Sequence, residues 1–250
     1  MTEEQQQFIK RIRELEESAY KNSQYLFTDF LNEAEYADAM DASSRSGFVS
    51  AWGGWEGAQR RMVRFGSPEE FGYDQPWPVV VLRISPLLEK FAEDLNHRDF
   101  LGAILNLGIE RRVIGDIVIE GRTGYVFVKE NIAQYVAEAL TKIRHTNVKC
   151  KQIEELPQVA VPKMAGKEIQ VTSARLDAIV AQVCSFSRSA AQEAFRQEHV
   201  CVNGRVQQNL TYMPKDGDVI SVRGFGKFRV DGEIRMTKKG KHCLGVELYQ

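Results

Sequence analysis

The chain has 250 residues, 43% of them apolar and 27% charged, with a formal net charge of −1. That length and balance fit two or three folded domains and exclude bulk disorder. No apolar run approaches the roughly 18 residues of a membrane span, and the Glu- and Gln-rich start lacks the basic, apolar pattern of a signal peptide. The four cysteines, Cys150, Cys184, Cys201 and Cys243, are scattered without a CxxC pair. Neither a disulfide framework nor a zinc site is expected from them, and a reducing cytoplasm is.

Charge is unevenly spread. Residues 165–250 carry 13 basic and 9 acidic side chains, a net of +4, whereas residues 1–164 carry 20 and 25, a net of −5. A basic C-terminal module thus follows an acidic body, and no internal repeat or low-complexity tract appears.

In chain order, residues 1–74 read as a mainly helical N-terminal domain. Phe8, Ile12 and Leu15 mark one amphipathic helix, and Phe27, Phe30, Leu31 and Tyr36 mark the next. A glycine-rich turn, Gly53-Gly54-Trp55-Glu56-Gly57, leads through Arg60 and Arg61 into a strand at Met62–Phe65. Pro76 and Pro78 set the boundary. Residues 75–156 then read as strand, helix, strand, strand, helix, strand. The strands fall at Val79–Ile84, Val113–Ile119, Tyr125–Val128 and Val148–Cys150, and the helices at Arg98–Leu107 and Ile132–Ile143. That βαββαβ order is the ferredoxin-like arrangement, which RNA-recognition (RRM-like) domains share. The glycine-aromatic pattern of a base-stacking sheet is missing, and Tyr125 and Phe127 are expected not to face a common ligand. Leu156–Gly166, with Pro157 and Pro162, reads as a linker.

Residues 165–250 hold the most specific pattern. Leu176, Ile179, Val180 and Val183 recur at helical spacing, as do Ala190, Ala191, Ala194 and Phe195, with Ser173 and Ser187 placed as N-caps. Val200 and Val202 alternate as a strand before Asn203-Gly204, a strong hairpin signal. Val219–Val222 and Phe228–Val230 flank a turn bounded by Gly224 and Gly226. Two helices on a small sheet follow.

Basic side chains mark where RNA phosphates would be met. They are Arg175, Arg188 beside Ser187 and Ser189 at a helix start, Arg205 after Asn203-Gly204, and Arg223, Lys227 and Arg229 around Gly226. The Lys238-Lys239-Gly240-Lys241 run would extend that surface. Arg60, Arg61 and Arg64, near Trp55, form a possible second RNA contact.

The order Ser173-Ala174-Arg175-Leu176-Asp177, Ser187-Arg188-Ser189, Val202-Asn203-Gly204-Arg205 and Asp216-Gly217-Asp218 resembles the S4 RNA-binding domain. The whole arrangement is α+β: a helical N-terminal region, a ferredoxin-like middle and a C-terminal S4 (αL-type) domain. It resembles the bacterial YlmH family, through the S4 motif, Arg98–Leu105 with Gly115-Asp116-Ile117, and Gly53-Gly54-Trp55-Glu56. Gln59 stands where that resemblance leads one to expect a glutamate. The resemblance implies a cytoplasmic, noncatalytic protein that needs no cofactor or metal. Its implied partners are large-subunit ribosomal RNA, tRNA or peptidyl-tRNA, and another translation-rescue factor.

The rival class is an S4-targeted RNA-modifying enzyme similar to a pseudouridine synthase. Such enzymes usually place S4 first and carry a Gly-Arg-Leu-Asp motif, whereas here Gly121-Arg122-Thr123-Gly124 lacks the aspartate. His97, His145, His199 and His242 have no metal-ligand spacing, and no HExxH, GxSxG or P-loop occurs.

Overall fold

Thr2 opens the first helix, α1 (Glu3–Asn22), by accepting the Gln5 N–H, and Ser23 closes it in the left-handed region at φ 50°. Such caps satisfy end groups that have no partner inside the helix. The protein is described from a computed structural model, which covers residues 2–45, 47–161, 164–237 and 240–249. The chain divides into two units, Met1–Val161 and Pro162–Gln250.

In the first unit α1 is followed by β1 (Leu26–Phe27), α2 (Glu33–Ala42), β2 (Val49–Trp52), β3 (Met62–Phe65) and the short α3 (Pro68–Phe71). The three strands form an antiparallel sheet in the order β1-β3-β2, so the N-terminal region is not helical alone. Ile12 and Ala19 of α1 and Ala39 of α2 pack with Val63 and Phe65 of β3. The helix expected from Phe27 starts only at Glu33, because Asn32 and Glu35 close a reciprocal capping box there. Phe27 and Phe30 instead reach the sheet side of the unit. The buried Glu16 accepts the N–H groups of Ser44 and Arg45 at 3.1 and 3.0 Å, tying α1 to the end of α2.

The chain continues through β4 (Val79–Pro86), α4 (His97–Leu105), β5 (Ile114–Glu120), β6 (Thr123–Lys129), α5 (Glu130–Ala139), β7 (Lys142–Ile143) and β8 (Thr146–Ile153). Every pairing is antiparallel, in the order β5-β6-β4-β8-β7, which is the ferredoxin-like order with one small hairpin added. That hairpin corrects the second helix. It ends at Ala139 rather than Ile143, since Leu140 leaves the helical region and Lys142–Ile143 pair back onto Thr146 and Asn147.

Side chains alternate across this sheet with period two. Leu82, Ile84, Val126 and Val128 face α4 and α5 and pack with Phe100, Ile104, Ala133 and Val136. Val81, Val118, Tyr125 and Phe127 take the other face. Tyr125 and Phe127 therefore do share a face, contrary to the expectation, but they are 3% and 1% exposed. Phe30, Met62, Leu156 and Ala160 cover them. Part of the supposed linker thus belongs to the first unit's core, where Gln158–Ala160 form a 3-10 turn.

The second unit starts inside the remainder of that interval, with β9 (Met164–Val171). Then come α6 (Leu176–Cys184), α7 (Arg188–Arg196), β10 (Val200–Val202), β11 (Arg205–Val206), β12 (Val219–Val222), β13 (Gly226–Met236) and β14 (His242–Tyr249). Six antiparallel strands run in the order β11-β10-β12-β13-β14-β9. Ile179, Val180 and Val183 of α6 and Ala191 and Phe195 of α7 bury Val200, Ile220, Val222, Phe228 and Val246. Ser187 caps α7 as expected, accepting the Ala190 N–H at 3.1 Å. Ser173 does not cap α6: Arg175 holds that position without a side-chain bond. The carbonyls of Tyr212 and Leu210 instead receive the Leu176 and Asp177 N–H groups at 2.8 and 3.2 Å.

Gly54 shows how tightly the glycine-rich turn lies on the middle sheet. Its φ is +98°, and a Cβ there would sit 2.3 Å from Cδ1 of Phe127. Gly54→Ala should destabilise the first unit by about 2–4 kcal/mol, from overpacking together with left-handed backbone strain. All three tryptophans, Trp52, Trp55 and Trp77, lie in this unit. Urea unfolding followed by tryptophan fluorescence should show a clearly lower midpoint; an unchanged midpoint would contradict the close packing.

Candidate nucleic-acid interface

Arg188 is exposed at the first position of α7, where Ser187 Oγ also lies 3.0 Å from Ser189 Oγ. Among the described residues its guanidinium has no ion-pair or hydrogen-bond partner. The amides of a helix start and a neighbouring guanidinium together suit a phosphate. Arg175 sits differently: its Nε and Nη2 contact the two Asp177 carboxylate oxygens at 3.0 and 2.7 Å. Arg175 and Arg188 nonetheless line one groove of about 630 Å3, with Ser173, Gln182, Gln192 and Lys241. A polar groove with three cations can take a sugar-phosphate backbone without reading its bases.

The hairpin residues lie elsewhere. Phe228 and Val230 of β13 face the helices, so Lys227 and Arg229, one residue out of phase, fall on the opposite face. There Arg229 Nε donates to Glu247 Oε2 of β14 at 3.1 Å, so that charge is partly neutralised. Between β12 and β13 the turn projects Arg223, exposed and without a side-chain partner among the described residues, and Phe225, 40% exposed. Gly224 and Gly226 make this turn possible with φ of 87° and 132°.

Asn203 is chiefly structural. With φ 49° it forms the tight turn with Gly204, while its amide donates to Asp218 Oδ1 at 2.9 Å and accepts the Val219 N–H at 2.9 Å. Asp218, 8% exposed, also accepts from Tyr212 Oη at 3.0 Å and Lys215 N at 2.8 Å. This carboxylate explains the Asp216-Gly217-Asp218 motif as a brace that sets the Asn203 turn, and with it exposed Arg205, against β12. The structure thus separates the sequence-predicted RNA-binding residues into two groups. Arg175, Ser187, Arg188 and Ser189 belong to the helical layer; Asn203, Gly204, Arg205, Arg223, Gly226, Lys227 and Arg229 belong to strands and their turns. Phe225, an exposed aromatic between two glycines in this basic hairpin, was not among the residues singled out from the sequence. Lys238 and Lys239 lie outside the described residues.

The second RNA contact drawn from Arg60, Arg61 and Arg64 meets a physical obstacle. Arg64 Nη1 pairs with Asp74 at 2.8 Å and its guanidinium lies over the Tyr25 and Trp77 rings. Arg61 Nε donates to the Ala58 carbonyl at 2.7 Å and its guanidinium lies over Tyr36. Arg60 holds the carbonyls of Ile114 and Phe30 at 3.0 and 2.7 Å, and burial pushes its pKa down. Trp55 is also engaged, donating to Asp116 Oδ2 at 3.3 Å, so it is not a free stacking platform. Asp116 further accepts the Gln59 and Arg60 N–H groups at 2.7 and 3.0 Å, pinning the glycine-rich turn to β5. The position where a glutamate was expected, Gln59, contributes its backbone here. These arginines hold the first unit together rather than forming an open cationic surface.

Burial pushes the thiols of Cys150 and Cys184 up, to about 11 and about 12, which suits small buried hydrophobes rather than nucleophiles. Among the described residues no group of three or more His, Cys, Asp or Glu side chains could hold a metal, and no helix is long and apolar enough to cross a membrane.

Known proteins share this arrangement. Residues 77–156 match the family described as "Putative RNA-binding domain in YlmH", and residues 174–220 match the S4 domain. The middle domain is thus similar to that of YlmH. It is also 27% identical over 248 residues to the "Ribosome-associated protein quality control protein P2" of Bacillus subtilis (strain 168), covering 96% of this chain and 93% of that one. Among solved structures, the "Cell division protein ylmH from Streptococcus pneumoniae" has the same fold over 61% of this chain and 93% of its own, with a TM-score of 0.51 and 17% identity. The S4 match covers the caps, α6, α7, the Asn203 turn and the Asp218 brace, and the protein carries an RNA-binding role through these domains.

Each freely exposed cation that meets a phosphate releases about one counterion. Arg188→Ala and Arg223→Ala should each flatten the log–log salt dependence of binding to a structured RNA by roughly 0.7–0.9. Arg64→Gln should leave the slope unchanged and lower stability instead. Fluorescence anisotropy across a salt series checks all three, and equal slopes for the wild type and both alanine variants would remove the proposed contacts.

Proposed function

We propose that this chain is a noncatalytic RNA-binding protein that docks on ribosomal RNA of the large subunit, together with tRNA, during rescue or quality control of stalled translation. The observation that carries this reading is the end-to-end similarity to a ribosome-associated quality-control protein, which spans both units rather than the S4 domain alone. The net charge of +4 over residues 165–250 and the exposed Arg188 and Arg223 support phosphate contact there. An S4 surface built from guanidiniums and turn backbones reads shape more than sequence, so selection of one ribosomal state calls for a second point of contact. Two tethered weak sites favour the particle that presents both targets at the right spacing. The first unit is the source of that second contact, toward tRNA or another rescue factor, and the site of action is the cytoplasm. The high thiol pKa values of Cys150 and Cys184 weigh against nucleophilic chemistry at those residues.

Sedimentation tests this directly. The full chain should travel with free large subunits through a sucrose gradient, more strongly when a peptidyl-tRNA remains bound. Combined alanine substitution of Arg175, Arg188, Arg223 and Lys227 should abolish that association while the first unit stays folded. Travel with small subunits alone, or absence from every ribosomal fraction at low salt, would refute the large-subunit role.

A further inference from the structure

A pocket of about 360 Å3 opens in the first unit beside α1, the segment preceding α2, and the 3-10 turn at Arg111–Val113. Its size lies at the lower end of the roughly 300–1,000 Å3 typical of small-molecule sites. Arg60 and Arg111 both line it, and both guanidiniums converge on one acceptor. Arg60 Nε and Arg111 Nη1 donate to the Ile114 carbonyl at 3.0 and 2.6 Å. Two like charges are thereby held side by side, half-buried, on an oxygen with no net charge to offset them. Such an arrangement is costly unless an anion compensates it.

Of the nearby carboxylates only Asp29 is taken up by other cations, Arg112 and Lys129, at 3.2 and 2.8 Å. Glu35 accepts the Asn32 N–H and Asp116 three N–H groups from the glycine-rich turn, all neutral donors, so both offset the arginine charge in part, but neither forms an ion pair with Arg60 or Arg111 among the described residues. Arg60 Nη1 and Arg111 Nε and Nη2 donate to no acceptor among the described residues. Arg11 adds an exposed third guanidinium to the lining, likewise unpaired among the described residues. Burial, then Arg60, pushes the Arg111 pKa down to about 10, against the opposing pull of Asp116. The remaining wall includes Phe8 and Leu15, which are half-buried. Guanidiniums beside an aromatic and aliphatic wall match a phosphate carrying a flat apolar group.

We propose that this pocket binds a nucleoside monophosphate group, its phosphate held by Arg60 and Arg111 and its base against Phe8 and Leu15. The group is supplied either as a free nucleotide or as the unpaired 5′ end of an RNA strand. The site is built from residues of the first unit alone and the S4 surface from the second, so failure of the one reading leaves the other standing.

The test is titration of the full, 15N-labelled chain with adenosine 5′-monophosphate, adenosine, inorganic phosphate and a 5′-phosphorylated single-stranded oligoribonucleotide. Amide resonances of Leu31, Asn32 and Arg111 should move saturably with the monophosphate, at an affinity about ten-fold or more above that of adenosine or phosphate. Binding of the oligonucleotide without the monophosphate would assign the RNA end as the source and also support the site. Arg111→Gln should weaken binding about ten-fold; if loss of its carbonyl contacts prevents folding, exposed Arg11→Glu should still weaken it. The proposal is overturned if neither nucleotide probe moves these resonances. It is equally overturned if adenosine or phosphate matches the monophosphate, or if the folded variant binds with unchanged affinity.

Discussion

The burial of Tyr125 and Phe127 governs how the rest of this molecule is arranged. A ferredoxin-like sheet has one face covered by its helices, and the other must be solvated, bound to a ligand or covered by further chain. Here Phe30, Met62, Leu156 and Ala160 cover it. The N-terminal segment and the middle sheet consequently form one unit, joined through this shared cluster although each also has a hydrophobic cluster of its own. The closeness of that cover forces small residues on the turn above Phe127, and Asp116 fastens the turn by accepting three N–H groups. A sheet surface used this way is unavailable for stacking bases.

The arginines divide along the same physical line. In the first unit Arg60 and Arg111 donate to main-chain carbonyls, and Arg64 combines an acid partner with two aromatic rings. A planar guanidinium suits these tasks because its donors fan out in fixed directions. In the S4 unit Arg188 and Arg223 stay exposed on a helix start and a turn, so their charge is directed at solvent. The same residue type therefore does both kinds of work, as Arg175 and Arg229 of the S4 unit also pair with acids, and composition alone cannot separate them.

Much of the fold was legible from periodicity. The two S4 helices, the Asn203-Gly204 hairpin and the βαββαβ order all follow from local spacing and turn chemistry. What was not legible depended on partners far away in sequence. The start of α2 is the exception, since the Asn32–Glu35 capping box spans only three residues and was a local signal passed over for apolar spacing; that boundary moved Phe27 into a strand. Ser173 lost its capping role to carbonyls of Leu210 and Tyr212, some 35 residues away. The candidate site was legible as a set of basic residues, but their division between two faces needed the strand register. Asn203 looked like an RNA contact because its bond to Asp218 is invisible without the fold. Arg111 carried no sequence signal at all, since its neighbour Arg60 lies on a different element.

The position of β14 bears on the order in which the protein becomes competent during its own synthesis. It lies between β13 and β9, and β9 has β14 as its only partner among the described strands. The strand made first in the S4 unit must therefore wait for the strand made last, whereas every strand of the front unit is in place by Ile153. A growing chain acquires its front half well before its S4 sheet can close. An abandoned, shortened product would thus keep a folded front half and lack a finished S4 sheet, which separates partial chains from those whose second unit is complete.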